Sequence, residues 1–216
     1  MSNARPPEPP EGPIDSEAFQ RLTGATDAAV ADLERYRVLL LRGAATANLI
    51  GPATLPDFWR RHALDSAQLL RHAPDVRRWA DLGSGAGLPG VVLAILLKGR
   101  AEVQVHLVDS LKKRVRFLHE VVETLALPAE VHDARAESLA LPVDVVTARA
   151  CAPLGKLLGF AEPWMRNGAE GLFLKGETVE AELAEARRLW TIDAELLPSA
   201  SDPRGRIVRV RRLKHA

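Results

Sequence analysis

The chain has 216 residues, 47% of them apolar and 26% charged, with 29 Lys and Arg against 28 Asp and Glu. That length suits one domain with a sizeable core. A formal charge of +1 means that any nucleic-acid partner must be met by local clusters, because the total supplies no field.

The single cysteine, Cys151, excludes an internal disulfide and a multi-cysteine metal cluster and fits a reducing compartment. The longest clean apolar run, Val91–Leu97, is far too short to span a bilayer, so no membrane partner is expected. The opening MSNARPPEPPEGP lacks the apolar stretch of a signal peptide. Its prolines and glutamates bury little surface, and residues 1–13 read as a disordered tail. A helical cap is expected over 14–74. Phe19, Leu22, Val30, Leu33, Tyr36 and Leu40 keep helical spacing within 15–42, with Gly24 dividing two helices. Gly51 and Pro52 mark a turn. Residues 54–74 read as a further helix with Thr54 as N-cap, Pro56 in its first turn and Pro74 beyond its end.

From residue 76 short β-prone runs alternate with helix-length segments. Strands are expected at Arg77–Leu82, Val103–Asp109, Glu130–Asp133, Val143–Thr147, Gly171–Lys175 and Ile207–Leu213, and helices near 89–97, 111–126, 154–166 and 178–190. This order predicts an α/β fold, a doubly wound parallel sheet with right-handed crossovers, over 75–216. The arginines alternating with Ile207, Val208 and Val210 predict an edge strand with a basic outer face.

Residues 79–90, WADLGSGAGLPG, join the first strand to its helix. Glycines permit a tight turn and let a ligand touch bare backbone. The helix N-terminus beyond offers N–H groups and partial positive charge. Gly85, Gly87 and Gly90 fit G-x-G-x-x-G, the dinucleotide fingerprint. Asp81, Gly83, Gly85 and Gly87 fit D-x-G-x-G-x-G, which looks like the first motif of S-adenosylmethionine-dependent methyltransferases. The plainer alternative is a structural turn without a ligand. Asp81 favours the methyl donor: a carboxylate at the strand end can meet the methionine ammonium, directly or through water, and a dinucleotide has no ammonium to satisfy. Asp109 ends the second strand, 22 residues after Gly87, where a carboxylate accepts from a ribose diol. Both ligands carry that diol, and Asp109 or Ser110 could instead cap the helix starting near Leu111. About 70 residues follow the fourth strand, which suits a one-domain methyltransferase better than a dehydrogenase.

RHALDS (61–66), DLGSGAGLPG (81–90), LVDSLKKRVRFL (107–118), RAES (135–138), ARACAPL (148–154) and LKG (174–176) occur in one order at close spacing. Together they resemble the RsmG/GidB family, bacterial enzymes that methylate a guanine N7 of 16S ribosomal RNA. The resemblance covers residues from about 45 to 190. It implies a Rossmann-like class I methyltransferase with a mostly parallel seven-stranded sheet, S-adenosylmethionine as cofactor and S-adenosylhomocysteine as product. By position it implies that Gly83 and Leu88 line the cofactor, that Ala136 and Glu137 flank its adenine, and that Arg149 reaches the methionine end or the incoming base. The sequence departs from the family in Asn48-Leu49-Ile50, in RGAATA at 42–47, and in an arginine-rich C-terminus. The competing readings are a same-fold enzyme acting on another RNA or a small molecule, and a non-catalytic nucleotide-binding protein.

Guanine N7 carries a lone pair at neutral pH, so in-line transfer to it needs no general base. Positioning is expected to dominate, helped by a carboxylate or carbonyl near the developing positive charge. The candidate catalytic residues are Arg149, His62, Asp65 and Lys175. His62 and Asp65, three apart, share a helix face; they border the cleft or form a surface ion pair. Lys175 approaches RNA or is simply a solvated strand-end lysine. No metal site is expected, since His62 has no partner cluster at ligand spacing. Candidate RNA contacts are Arg60 and Arg61, then Lys112, Lys113, Arg114 and Arg116, then Arg204 to Lys214. The partner is 16S rRNA or the small ribosomal subunit, met by a cytoplasmic monomer. Trp59, Trp79, Trp164 and Trp190 are expected to pack rather than stack on bases, and nothing beside Cys151 marks an activated thiol.

Overall fold

The computed structural model describes residue 10 and residues 12–47, 52–139 and 141–216. The 1–13 tail is therefore largely outside the described residues, as are Asn48, Leu49 and Ile50 and the side chain of Thr54. Asp15 accepts from the Ala18 N–H and starts α1 (Ser16–Thr23), and Gly24 closes it at φ +70°. This is the left-handed stop that glycine permits without steric cost. α2 (Asp27–Ala47) follows, as the helical spacing predicts.

The next segment is not the single α-helix expected over 54–74. It runs as a 3-10 stretch (Pro52–Asp57), a π stretch (Trp59–Leu64), one α turn (α3, Asp65–Ala67) and a 3-10 turn (Gln68–Arg71). Pro56 lies inside the first stretch, where it cannot donate a helical hydrogen bond. The π stretch carries Arg61 and His62, and such bulges concentrate at functional sites.

The remaining elements are β1 (Arg78–Leu82), α4 (Gly90–Leu97), β2 (Gln104–Asp109), α5 (Lys112–Leu125), β3 (Ala129–Asp133), β4 (Val145–Arg149), α6 (Leu154–Arg166), β5 (Glu170–Lys175), α7 (Val179–Ala186), β6 (Trp190–Pro198) and β7 (Arg206–His215). They form one seven-stranded sheet in the order β3-β2-β1-β4-β5-β7-β6. β1 to β5 pair in parallel, whereas β7 runs antiparallel to both β5 and β6. The sheet is therefore mixed, not wholly parallel. The reason is connection length: residues 199–205 join β6 to β7, and a parallel return needs a dozen or more residues.

β6 was not among the expected strands. Its exposure alternates along Trp190–Pro198, the period-2 signature of a half-covered strand. It takes the edge position, so β7 is internal and not the edge strand predicted from its arginines. Ile207, Val208 and Val210 are buried against β5 and β6. Beyond Val210 the pairing is with β6 alone.

Two apolar clusters cover the two faces of the sheet. The larger joins Phe19, Leu33, Tyr36 and Leu40 of the N-terminal helices to Val91, Leu93 and Leu107, so the helical cap shares its core with the α/β portion. The smaller packs α6 and α7 against β4, β5 and β7. All four tryptophans are buried, with Trp79 and Trp164 fully so. Each such side chain removes 150–250 Å² from water, worth about 4–6 kcal/mol before entropic costs.

Candidate functional site

The strand order reverses between β1 and β4, and the glycine turn lies at the C-terminal end of β1 on that crevice. This is where open α/β sheets bind ligands. Three protein groups hold the turn. Asp81, 1% exposed, accepts from the Gly90 N–H at 3.0 Å, and its other oxygen lies 3.3 Å from Thr147 Oγ1. Asp109 accepts from the Gly85 N–H at 2.9 Å. Tyr36, reaching in from α2, donates to the Ala86 carbonyl at 2.6 Å. Burial pushes the Asp81 pKa up to about 6, against the opposing pull of the Gly90 N–H. Burial also holds the Tyr36 phenol far above its ordinary range.

The glycines have different jobs. A Cβ on Gly87 (φ +96°) would lie 2.4 Å from Val91 Cγ2 and 3.1 Å from Tyr36 Oη. On Gly90 it would lie 2.4 Å from Leu107 and 2.8 Å from the Asp81 carboxylate. On Gly83 (φ +66°) it would strike Cys151 Sγ at 2.5 Å. Only at Gly85 (φ +59°) is the space open, the nearest atom being Gly83 O at 3.7 Å. A Cβ at Gly83, Gly87 or Gly90 would therefore meet protein atoms before any ligand. Gly85 alone faces open space.

Asp109 is not the N-cap of α5, whose cap residue is Leu111 with no side-chain cap hydrogen bond, but it braces the turn before that helix. Its second oxygen accepts from the Leu111 N–H at 2.9 Å, and Arg114 lies 3.6 Å away. Ser110 supplies no cap to α5. Leu88 is buried at the head of α4. Ala136 is buried and its carbonyl accepts from Trp164 Nε1 at 2.9 Å; Glu137, half-exposed, lies 3.8 Å from Arg135. Cys151 is half-buried, and burial together with Asp81 and Asp109 raises its pKa, so the thiol stays protonated.

On the other side of the crevice β4 delivers Arg149. Its guanidinium donates to the Arg61 carbonyl at 2.6 Å, meets Asp65 Oδ2 at 3.2 Å and donates to His62 Nδ1 at 2.9 Å. Guanidinium is a donor only, so Nδ1 is the unprotonated nitrogen of His62. Burial first, then Arg149 and Arg61, lowers the His62 pKa to about 4. His62 and Asp65 therefore do converge, through Arg149, in a partly buried cluster: His62 is 4% exposed and the Arg149 and Asp65 side chains 18% and 19%. Asp65 also accepts from Ser201 Oγ at 2.6 Å, and Gln68 Nε2 bridges Asp65 and Ser199 at 3.1 Å each. Gln68, Ser199 and Ser201 escaped sequence reasoning because more than 130 residues separate the partners, as the 131- and 133-residue spacings show.

Lys175 is not a solvated lysine. It is 11% exposed, paired with Glu182 at 2.6 Å, and donates to the Ala152 carbonyl at 3.1 Å. Glu182 in turn accepts from the Leu154 N–H at 2.7 Å, so the pair fixes the loop after β4. Arg149, Asp65 and Lys175, with Arg60, Arg61 and Arg206, line a cleft of ≈ 770 Å³. The basic clusters divide accordingly. Arg60, Arg61, Arg204 and Arg206 line the cleft, with Arg204 also 3.5 Å from Asp202 and 3.7 Å from Glu177; away from it Lys112 pairs with Asp133, Arg209 with Glu170 and Arg211 with Glu195.

Residues 29–204 match the GidB family, rRNA small subunit methyltransferase G. The chain belongs to this family. Among GidB relatives, the ribosomal RNA small subunit methyltransferase G of Caulobacter vibrioides (strain NA1000 / CB15N) is 62% identical over 94% of this chain and 94% of its own. That of Parvibaculum lavamentivorans is 46% identical over 93% and 90%. A solved SAM-dependent methyltransferase from Aquifex aeolicus superposes with TM-score 0.53 at 18% identity, covering 79% of this chain and 97% of its own. At that identity the GidB chain shares its fold with the Aquifex enzyme, and the likeness extends no further.

Proposed function

We propose that this chain transfers the methyl group of S-adenosylmethionine to N7 of one guanine in 16S ribosomal RNA. The observation that carries the reading is the near full-length identity to relatives named ribosomal RNA small subunit methyltransferase G. The geometry is compatible: a glycine turn with one open position at Gly85 sits at the sheet's switch point, and a cleft lined by Arg60, Arg61, Arg149 and Arg206 opens at the ends of β4 and β5.

When bound, S-adenosylmethionine supplies an electrophilic methyl group on a sulfonium. Asp81, Gly83, Gly85, Gly87 and Leu88 form its methionine side, and Asp109, Ala136 and Glu137 its adenosine side. Asp81 and Asp109 act largely by fixing the turn, because protein N–H groups already occupy a carboxylate oxygen of each. The guanine enters the cleft beside Arg149, His62 and Asp65. The donors that Arg149 spends on Arg61, Asp65 and His62 are held away from N7, which must keep its lone pair. A neutral His62 adds no positive charge where the product base becomes cationic, and the Asp65 carboxylate opposes that charge. Arg149 and Lys175 are positioning residues in this scheme. Arg60, Arg61, Arg204 and Arg206 meet phosphates at the rim.

No helix among the described residues is long and apolar enough to cross a membrane. Among the described residues, exposed large apolar side chains are confined to Leu22, Val38, Leu41, Leu111 and Leu189, which supports a monomer; its substrate places it in the cytoplasm. The test is methylation of small ribosomal subunits from a strain lacking the modification, with naked 16S rRNA and a small-molecule panel alongside. One N7-methylguanine mapped in 16S rRNA is the expected result. Label in another RNA, or none, overturns the assignment.

A further inference from the structure

Outside the crevice, three metal-ligating side chains meet at the β2–β3 end of the sheet. We propose that His106, Glu130 and His132 bind a divalent first-row transition ion of the zinc type. The parallel register pairs His106 with Glu130 and Val108 with His132. Side chains two apart on a strand share a face, so all three project to one side. His106 Nδ1 and His132 Nε2 are 2.9 Å apart, and Glu130 oxygens lie 3.8 Å and 4.0 Å from those nitrogens. One ligand atom from each residue falls within 4.8 Å of the other two.

Two imidazoles and a carboxylate are the donor set of three-ligand zinc sites, with solvent completing the tetrahedron. Zinc–nitrogen bonds near 2.05 Å place tetrahedral nitrogens about 3.3 Å apart, so the rings part and the carboxylate closes by roughly half an ångström. Glu130, 58% exposed, supplies both the mobile ligand and the entry path, while the two imidazoles, 12% and 16% exposed, are fixed by the sheet. Each ring presents a lone pair to the ion and keeps its proton on the other nitrogen. Bound there, the ion ties edge strand β3 to β2, and β2 ends at Asp109, which holds the glycine turn. Sequence spacing does not reveal the set, because His106 lies on a different strand from Glu130 and His132.

The test uses the untagged full chain, stripped with a chelator and titrated with Zn²⁺, Co²⁺ and Mg²⁺. Saturable one-to-one Zn²⁺ and Co²⁺ binding, a rise in melting temperature and no response to Mg²⁺ are expected. His132→Gln and Glu130→Gln should each weaken Zn²⁺ binding on the order of tenfold or more, while His119→Gln leaves it unchanged; circular dichroism verifies that each variant is folded. Absence of saturable binding means a plain imidazole hydrogen bond and overturns the proposal. So does binding that survives both His106→Gln and His132→Gln, or a Co²⁺ spectrum with a thiolate charge-transfer band, which would place the ion on Cys151. None of these readouts depends on methyl transfer.

Discussion

Replacing Gly87 by Ala and Gly85 by Ala separates a packing glycine from a ligand-facing one. Both have left-handed backbone, at φ +96° and +59°, and an alanine there costs about 1–2 kcal/mol. At Gly87 the new methyl also lands 2.4 Å from Val91 Cγ2 and 3.1 Å from the buried Tyr36 hydroxyl. Neither neighbour can swing away, since Val91 sits in the buried helix α4 and Tyr36 is tied to Ala86. Overpacking of this kind adds about 1–3 kcal/mol. The sum for Gly87→Ala is about 3.5 kcal/mol, against about 1.5 kcal/mol for Gly85→Ala. At roughly 3 °C per kcal/mol for a chain of this size, melting points fall by about 10 °C and about 4–5 °C. Binding of S-adenosylhomocysteine, followed by isothermal titration, should invert the order: Gly85→Ala loses more affinity although it is the more stable variant. If the two variants melt together, or if Gly85→Ala binds as well as wild type, the division of labour among the glycines is wrong.

Asp81 gives a pH signature. Its folded pKa of about 6 lies above its ordinary 3.8, so its contribution is fully present below 3.8 and is lost as pH rises through about 6. Wild-type stability minus that of Asp81→Asn should therefore fall by about 2 kcal/mol between pH 4 and 7 in urea titrations; a flat difference rules this out. Tyr36→Phe strands the buried Ala86 carbonyl and should cost about 1–3 kcal/mol in the same assay, with no effect if water replaces the hydroxyl. Arg149→Ala should abolish most turnover while leaving S-adenosylhomocysteine affinity unaltered, because its guanidinium contacts the helical cap; equal losses in both would move it to the cofactor side. Removing Arg204 and Arg206 together should lower the salt slope of RNA binding by about 1–2, and an unchanged slope would clear them of phosphate contact.

Much of the fold and part of the site were legible in sequence because their signals are local. The strand–glycine–helix unit at 79–97, the Gly24 helix stop and the alternation of β1 to β5 with their helices each depend on neighbours within a few residues. β6 is equally local, an alternating run from Trp190 to Leu197, but its start overlaps the helix expected over 178–190, which ends at Ala186. Once that strand is recognised, the short 199–205 connection dictates an antiparallel pair, and β7 moves from the edge to the interior.

The sequence by itself determined the family, the Rossmann-like order of elements, and which residues cluster at the strand ends. Tertiary structure decided what those residues do. Tyr36 looked like one more core position, but the packing of α2 on α4 aims its hydroxyl at the glycine turn. Asp81 and Asp109 looked like ligand groups, and the fold spends them first on the Gly90 and Gly85 N–H groups. His62, Asp65, Arg149 and Ser201 come from three distant segments and share one cluster only because β4 ends between the π stretch and the β6–β7 connection. A residue type and its spacing set the available donors and acceptors; which of them meet depends on long-range packing, and that has no counterpart in a short stretch of chain.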